Sequence, residues 1–453
     1  MPSLQLRAAT FRVGAGDAFV RARKMTGTPM KQSPGTLQSV LVLMSWTAVA
    51  QVVSVIAMLA LPRIFSPAHF GGFSIYSGFV VLFSIVAAGR YEFAIGLPRA
   101  ETDGQALLWA CVLLSALAAV AFCLVFVLMP ADSPLIGRFP QLLSLWPAVA
   151  AGMACMAWYS AASYMALRHG QFRAVGVSKV AIALVTAGGQ IAAGLLIGRS
   201  SMSLIIPFVI GQLAGAMVLL AAIGRRRIGR PEKTRVLAML RSYSHFPRAV
   251  APGSIMDGVS NLLPVTAAAI VLSVADAGIY ALADRVLRMP VTLVGSSVLQ
   301  VFYKQIADRR GDPAAGHALL ASTWRTLALL AALPCLVIMV FGQELFAFAF
   351  GAEWRSSGAI AQLLVVWVFF QFVSYPTSNV LVVYEKTRSF LVWQAAQLAC
   401  IAAALCLARY WHPGSLRTMV ASLVVAQSLV CVLSMILQWR AVTSGSYPGE
   451  AAR

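Results

Sequence analysis

GIYALADRVLRMPVTLVGSSVLQVFY, residues 278–303, is long enough to cross a bilayer and apolar over most of its length, yet it carries Asp284, Arg285, Arg288 and Pro290 in its first half. At about 1.5 Å rise per residue, Arg288 sits roughly 15 Å from the start of such a helix, near the middle of a hydrocarbon core about 30 Å thick. Charge at that depth is costly, so such residues face a protein interior or a wet cavity. The stretch predicts a helical bundle that encloses something polar inside a membrane.

The rest of the chain extends that reading. Of 453 residues, 60% are hydrophobic and only 11% charged, too few charges to cover a soluble surface. Apolar runs of about 20 residues recur, without the short alternation of barrel strands. The expected fold is an all-α integral membrane protein with about 12 transmembrane helices. Twelve segments are assigned: 39–61, 73–92, 106–129, 142–167, 175–198, 204–223, 250–272, 278–303, 318–341, 358–384, 389–409 and 418–440. The seven cysteines all lie in apolar runs without a CxxC pair, which excludes a zinc site or disulfide framework and leaves core packing.

The net charge of +20 is distributed by loop. With loops assigned alternately, 27 of the 35 Lys and Arg fall on the side of the N-terminus, six on the other side, and two inside the membrane. This places both termini in the cytoplasm and supports an even helix count. Nucleic acid is not expected as a partner, for no soluble module carries the charge; anionic phospholipids are.

Residues 1–38 read as a basic, disordered cytoplasmic arm, within which Met25 and Met30 are alternative starts to Met1. Residues 39–223 form one six-helix bundle and 250–440 a second. Between them, 224–249 is a basic cytoplasmic linker, and 441–453 a cytoplasmic tail. FSPAHFGGF (65–73) and LSVADAGIY (272–280) align Ser66 with Ser273, Gly71 with Gly278 and Phe73 with Tyr280, a weak internal repeat.

Depth places Asp257 about 12 Å into segment 7, level with Arg288 of segment 8, where the two could pair. Asp284 lies four residues before Arg288, suited to an i,i+4 pair, and Asn261 lies one turn from Asp257. Pro290 frees the carbonyl of Val286. These charges either receive an anionic substrate group or simply lock segments 7 and 8 together, and both readings stand at this point. Arg90, Tyr91 and Glu92 end segment 2, where snorkelling accounts for Arg90 and Glu92; Lys179 reads as snorkelling too. Trp46, Tyr76, Trp146, Tyr410 and Trp411 read as interfacial anchors, and Gly188-Gly189 as a close-packing site. The histidines form no ligand spacing, and no metal or catalytic residue is expected.

Three runs resemble one family. RYEFAIGLP (90–98), GIYALADRVL (278–287) with Pro290 and QVFY (300–303), and FGAEW (350–354) with PTS (376–378) are similar, in order, to motifs of the polysaccharide-transporter family. These are the Wzx-type oligosaccharide flippases of the multidrug, oligosaccharidyl-lipid and polysaccharide exporter superfamily. The resemblance covers about residues 37–440. It implies a V-shaped pair of six-helix bundles working by alternating access, with helices 1, 2, 7 and 8 lining the lumen. It also implies a substrate: an undecaprenyl-pyrophosphate-linked oligosaccharide, moved from the cytoplasmic to the periplasmic leaflet of a bacterial inner membrane for exopolysaccharide, capsule or O-antigen synthesis. Arg285 and Arg288 would then meet the headgroup, with Asn261 and Arg90 as further substrate contacts. Asp257, Asp284 and Glu92 would pair charges or couple transport to H+ or Na+. No cofactor is implied, and a polymerase or glycosyltransferases of the same pathway would be partners.

Rival readings are a multidrug or cation antiporter of the same superfamily, a pathway enzyme, and a non-transporting scaffold. Segment 1 lacks the acidic residue a cation antiporter would use, its one large polar residue being Gln51. A polymerase or ligase needs a sizeable outer loop, and no outer loop here exceeds about 15 residues. The peptidoglycan-precursor flippase has two more helices than this chain.

Overall fold

The computed structural model describes residues 34–128, 140–224, 229, 231–309, 312–384, 387–411 and 414–443. Residues 1–33, with the alternative starts, and most of the 441–453 tail lie outside them. Twelve long helices follow the assigned segments: α1 (Pro34–Ile64), α2 (Pro67–Ala88), α3 (Glu101–Leu128), α4 (Pro140–Arg168), α5 (Phe172–Leu196), α6 (Ser201–Ile223), α7 (Ala251–Val271), α8 (Val274–Asp308), α9 (Pro313–Phe350), α10 (Arg355–Ser374), α11 (Thr387–Trp411) and α12 (Leu416–Thr443). No strand occurs among the described residues. Among them, 11 helices are long and apolar enough to cross a membrane. Helix α4, 29 residues long, packs against α2, α3 and α6.

Apolar side chains on the outside of the bundle require a lipid environment. Leu196 and Ile197 are 84% exposed and Phe348 85%, and α9 alone turns out Leu329, Leu330, Leu333 and Leu336. Water would reject a surface like this, and hydrocarbon does not.

Helix ends differ from the assigned segments where backbone chemistry intervenes. Segment 1 begins earlier, at Pro34, so the last residues of the expected arm are helical. Segment 2 stops at Ala88 rather than residue 92, because Gly89 takes a left-handed cap and Arg90 follows at φ +60°. Segment 10 breaks after Ser374 into a 3-10 turn at Tyr375–Thr377, where Pro376 has no amide hydrogen to continue the helix. Helix α8 is longer than its segment and runs on through Pro290.

Within the first six helices, α1 packs on α5, α5 on α6, and α4 on α3 and α6; within the last six, α9 packs on α10, α10 and α11 on α12, and α7 on α11. The two sets meet chiefly where α2 lies against α7 and α8, with a smaller contact of α1 on α9. The connections α1–α2, α7–α8 and α9–α10 share one face, called here the far face; the 224–249 linker lies on the other. At the far face α2 and α8 touch backbone to backbone. A Cβ on Gly71 would collide with the carbonyl of Val274, and one on Gly278 with the carbonyl of Pro67. Trp354, fully buried, donates to the carbonyl of Pro62 at 2.7 Å and packs edge-on against Phe70. Arg63 donates to the carbonyls of Ala349 at 3.1 Å and Phe348 at 3.3 Å. Among the described residues, these contacts close the far face where α1 and α2 meet α8 and α9.

Part of the linker forms a surface helix, Lys233–Ser242, laid across the start of α3. Arg235 pairs with Asp103 at 2.7 Å, and the Tyr91 hydroxyl donates to the carbonyl of Leu240 at 3.0 Å. One anchor expected at the interface, Tyr76, sits in the core instead. Tyr76 is 1% exposed, its hydroxyl donating to the carbonyl of Ala148, and Trp46 packs over Gly176. Of the glycine pair in α5, Gly189 meets Pro207 closely, whereas Gly188 faces open space.

Candidate functional site

Among the described residues, a cavity lies on either side of α8. The larger, about 660 Å³, is lined by α1, α2, α5, α6 and α8. Polar residues reach it from three helices: Thr47, Gln51 and Ser54 of α1; Lys179, Thr186 and Gln190 of α5; Arg285, Arg288 and Thr292 of α8. Phe70, Phe73 and Phe208 supply an aromatic wall, and the guanidinium of Arg285 lies 5.7 Å from the Phe73 ring centre. Among the described residues, no carboxylate lines this cavity.

Arg288 is the most constrained of the charged groups. Its Nε donates to Asp284 Oδ1 at 2.7 Å, the pair expected from the i,i+4 spacing, and its Nη1 donates to Asn261 Oδ1 at 2.8 Å. The guanidinium plane lies 4.8 Å from the Trp367 ring centre. Only a planar fork makes all three contacts at once, which a lysine ammonium cannot copy. Asp257 is not an ion-pair partner of Arg288, contrary to the depth argument. Asn261 stands between them, its Nδ2 donating to the backbone carbonyl of Asp257 at 2.9 Å. The Asp257 carboxylate remains within electrostatic reach of both Arg288 and Arg90.

Arg90 and Glu92 line neither cavity. They do not snorkel: Glu92 is 3% exposed and its Oε1 pairs with Arg90 at 3.2 Å. Arg90 also lies over the Phe93 ring at 5.0 Å. The turn that buries them is tied down from α4, where Arg168 donates to the carbonyls of Ile95 at 2.8 Å and Ala100 at 3.0 Å.

Lys179 is the residue that sequence reasoning missed. It was read as snorkelling to the interface, but it projects into the larger cavity and its Nζ donates to Thr47 Oγ1 at 3.4 Å. The signal was present as polar stripes. Lys179, Thr186 and Gln190 stand at i, i+7 and i+11, and Thr47, Gln51 and Ser54 at i, i+4 and i+7, each set on one helix face. Of helices 1, 2, 7 and 8, expected to line the lumen, α1, α2 and α8 wall the larger cavity. Helices α5 and α6 complete the larger cavity, and α7 faces the smaller one.

The smaller cavity, about 350 Å³, lies among α7, α8, α10, α11 and α12, and Arg288 and Thr292 wall both spaces.

The sequence profile of the family described as polysaccharide biosynthesis protein matches residues 60–359. The chain belongs to that family. No curated protein matches the chain. Its fold is shared with solved transporters of very different sequence. The lipid II flippase MurJ in an inward closed conformation superposes with a TM-score of 0.64 at 11% identity, over 88% of this chain and 87% of that one. An inward-facing multidrug resistance MATE family transporter of the MOP superfamily gives 0.61 at 12%, over 89% and 94%. The MATE transporter VcmN of Vibrio cholerae gives 0.58 at 13%, over 90% and 95%. At these identities the likeness concerns the fold.

Proposed function

We propose that this family member is a flippase. It carries an undecaprenyl-pyrophosphate-linked oligosaccharide from the cytoplasmic to the periplasmic leaflet of a bacterial inner membrane, with both chain termini in the cytoplasm. The observation that carries the reading is the larger cavity: Lys179, Arg285 and Arg288 converge there and, among the described residues, no carboxylate lines it. Asp284 balances Arg288, so Lys179 and Arg285 leave an excess of positive charge. A diphosphate is the group such a site suits, since guanidinium forks match phosphate oxygens and burial strengthens the attraction. The prenyl chain stays in lipid while the headgroup crosses through the bundle. The closed contacts on the far face support a cycle in which the two helix sets rock about α2 and α8. Asp257 is the candidate for H+ or Na+ coupling. The protein acts as a transporter and not as an enzyme; a cation antiporter of the same fold is disfavoured because no described residue lining the larger cavity is acidic.

The test is flipping of a lipid-linked oligosaccharide in vesicles containing the purified protein. Wild-type activity that is lost in folded Arg285→Ala/Arg288→Ala and reduced in Lys179→Ala supports the assignment. Full activity in all three proteins would return these cations to a structural role. Absence of wild-type activity with several substrates would favour the antiporter, or a scaffold that recruits glycosyltransferases or a polymerase.

A further inference from the structure

The smaller cavity has a chemistry that recognition of a diphosphate does not use. Its charged lining consists of one carboxylate, Asp257, and one guanidinium, Arg288, so it offers little net charge. Its walls instead carry the carboxamides of Asn261, Gln371, Gln397 and Gln427 and the indoles of Trp367 and Trp393. Gln427 is 4% exposed, and Gln371 Oε1 is buried without a hydrogen-bond partner. Such an acceptor is costly to keep inside a membrane protein, and rotation of the Gln371 side chain would turn it toward the cavity that this residue lines.

A carboxamide donates and accepts at once and does not ionise, which matches the hydroxyl rim of a sugar. An indole offers a flat apolar face and one donor, which matches the C–H face of a sugar ring. A lipid chain has no use for the carboxamides. A cation would meet a single acid with Arg288 close by. The volume lies toward the small end of ligand pockets, about 300–1,000 Å³, and suits a short stretch of sugar. Arg288 and Thr292, one turn apart on α8, line both spaces, so the two cavities are neighbours across α8, and a linear ligand that displaced the Arg288 side chain would have its phosphates on one side and its sugars on the other.

We propose that the cavity walled by Trp367, Gln371, Trp393 and Gln427 is a sugar-binding subsite for uncharged residues of the headgroup, separate from the cationic cavity that takes the diphosphate. The assignment rests on the flippase reading.

The experiment compares farnesyl diphosphate with three farnesyl diphospho-sugars, carrying glucose, galactose or N-acetylglucosamine, in calorimetric titration of the full-length protein in nanodiscs. In wild type at least one glycosylated probe binds about tenfold more tightly than the bare diphosphate, the size expected for one or two buried hydrogen bonds. Gln371→Met and Gln427→Met keep side-chain volume, leave bare-probe affinity unchanged and erase the advantage of the sugar. The unchanged bare probe reports that the variants are folded. If the bare probe binds and no sugar adds affinity, or if the glutamine variants weaken both probes equally, the subsite is overturned while the diphosphate site stands. If wild type binds none of the four probes, the flippase reading fails and takes the subsite with it.

Discussion

Gly71 and Gly278 stand in reciprocal contact: a Cβ on Gly71 would lie 3.0 Å from the amide nitrogen of Gly278, and one on Gly278 would lie 2.9 Å from that of Gly71. The carbonyls they would strike, of Val274 and Pro67, are likewise equivalent positions of the two helices. The faint repeat in the sequence therefore has a physical counterpart, in which α2 and α8 meet as equals about a local two-fold relationship.

One prediction concerns that contact. Gly71→Ala and Gly278→Ala each force two backbones apart, and overpacking of this kind costs about 1–3 kcal/mol. Once one methyl has parted the helices, the second meets less resistance. Thermal unfolding in detergent should show the double variant well short of the sum of the singles; strict additivity would mean that the residues do not share one contact.

The second concerns the same face. Trp354→Phe keeps an aromatic ring against Phe70 but removes the bond to the carbonyl of Pro62. Leaving a buried acceptor unpaired costs about 1–3 kcal/mol. A lower unfolding temperature is expected, together with greater labelling of a cysteine placed at Ser66 by an impermeant thiol reagent. Unchanged labelling would show that Trp354 does not hold this face shut.

A third separates charge from geometry. Arg288→Lys preserves the charge but cannot reach Asp284 and Asn261 together, so flipping should fall almost as far as in Arg288→Met. Lys179→Arg, in contrast, should retain most activity, because that ammonium makes one long contact with Thr47. The reverse order in the vesicle assay would reassign the two residues.

A fourth exploits the asymmetry of the buried pair beside α2. Arg90→Met strands the Glu92 carboxylate, whose Oε2 already lacks a partner, whereas Glu92→Gln leaves a neutral amide beside a partly exposed arginine. Arg90→Met should therefore lower the unfolding temperature more than Glu92→Gln. Equal shifts would show that the pair contributes nothing beyond packing.

Membrane class and helix number were legible in the sequence because hydropathy is a local property. The Asp284–Arg288 pair was legible because its spacing is a property of one helix. Lys179 was not, since a helix apolar nearly all round does not announce which face meets a cavity; only the polar stripe through Thr186 and Gln190 did so. Asp257 went wrong for a related reason. Depth along two helices fixes height and not azimuth, and Asn261 occupies the direction that Asp257 needed. The end of α2 depended on a left-handed Gly89, which hydropathy cannot see. The smaller cavity needed α10, α11 and α12 brought together, a matter of tertiary packing.

Arg288 belongs to the walls of two rooms, so a displacement of its side chain on one side is felt on the other. A guest that draws the guanidinium toward the larger space loosens its hold on Asn261 and reshapes the smaller one. Thermodynamic reciprocity then requires that occupancy of the smaller space alter the grip on whatever lies in the larger by the same factor. Under the flippase proposal, a ligand that fills both spaces is then held differently from one that fills only the larger.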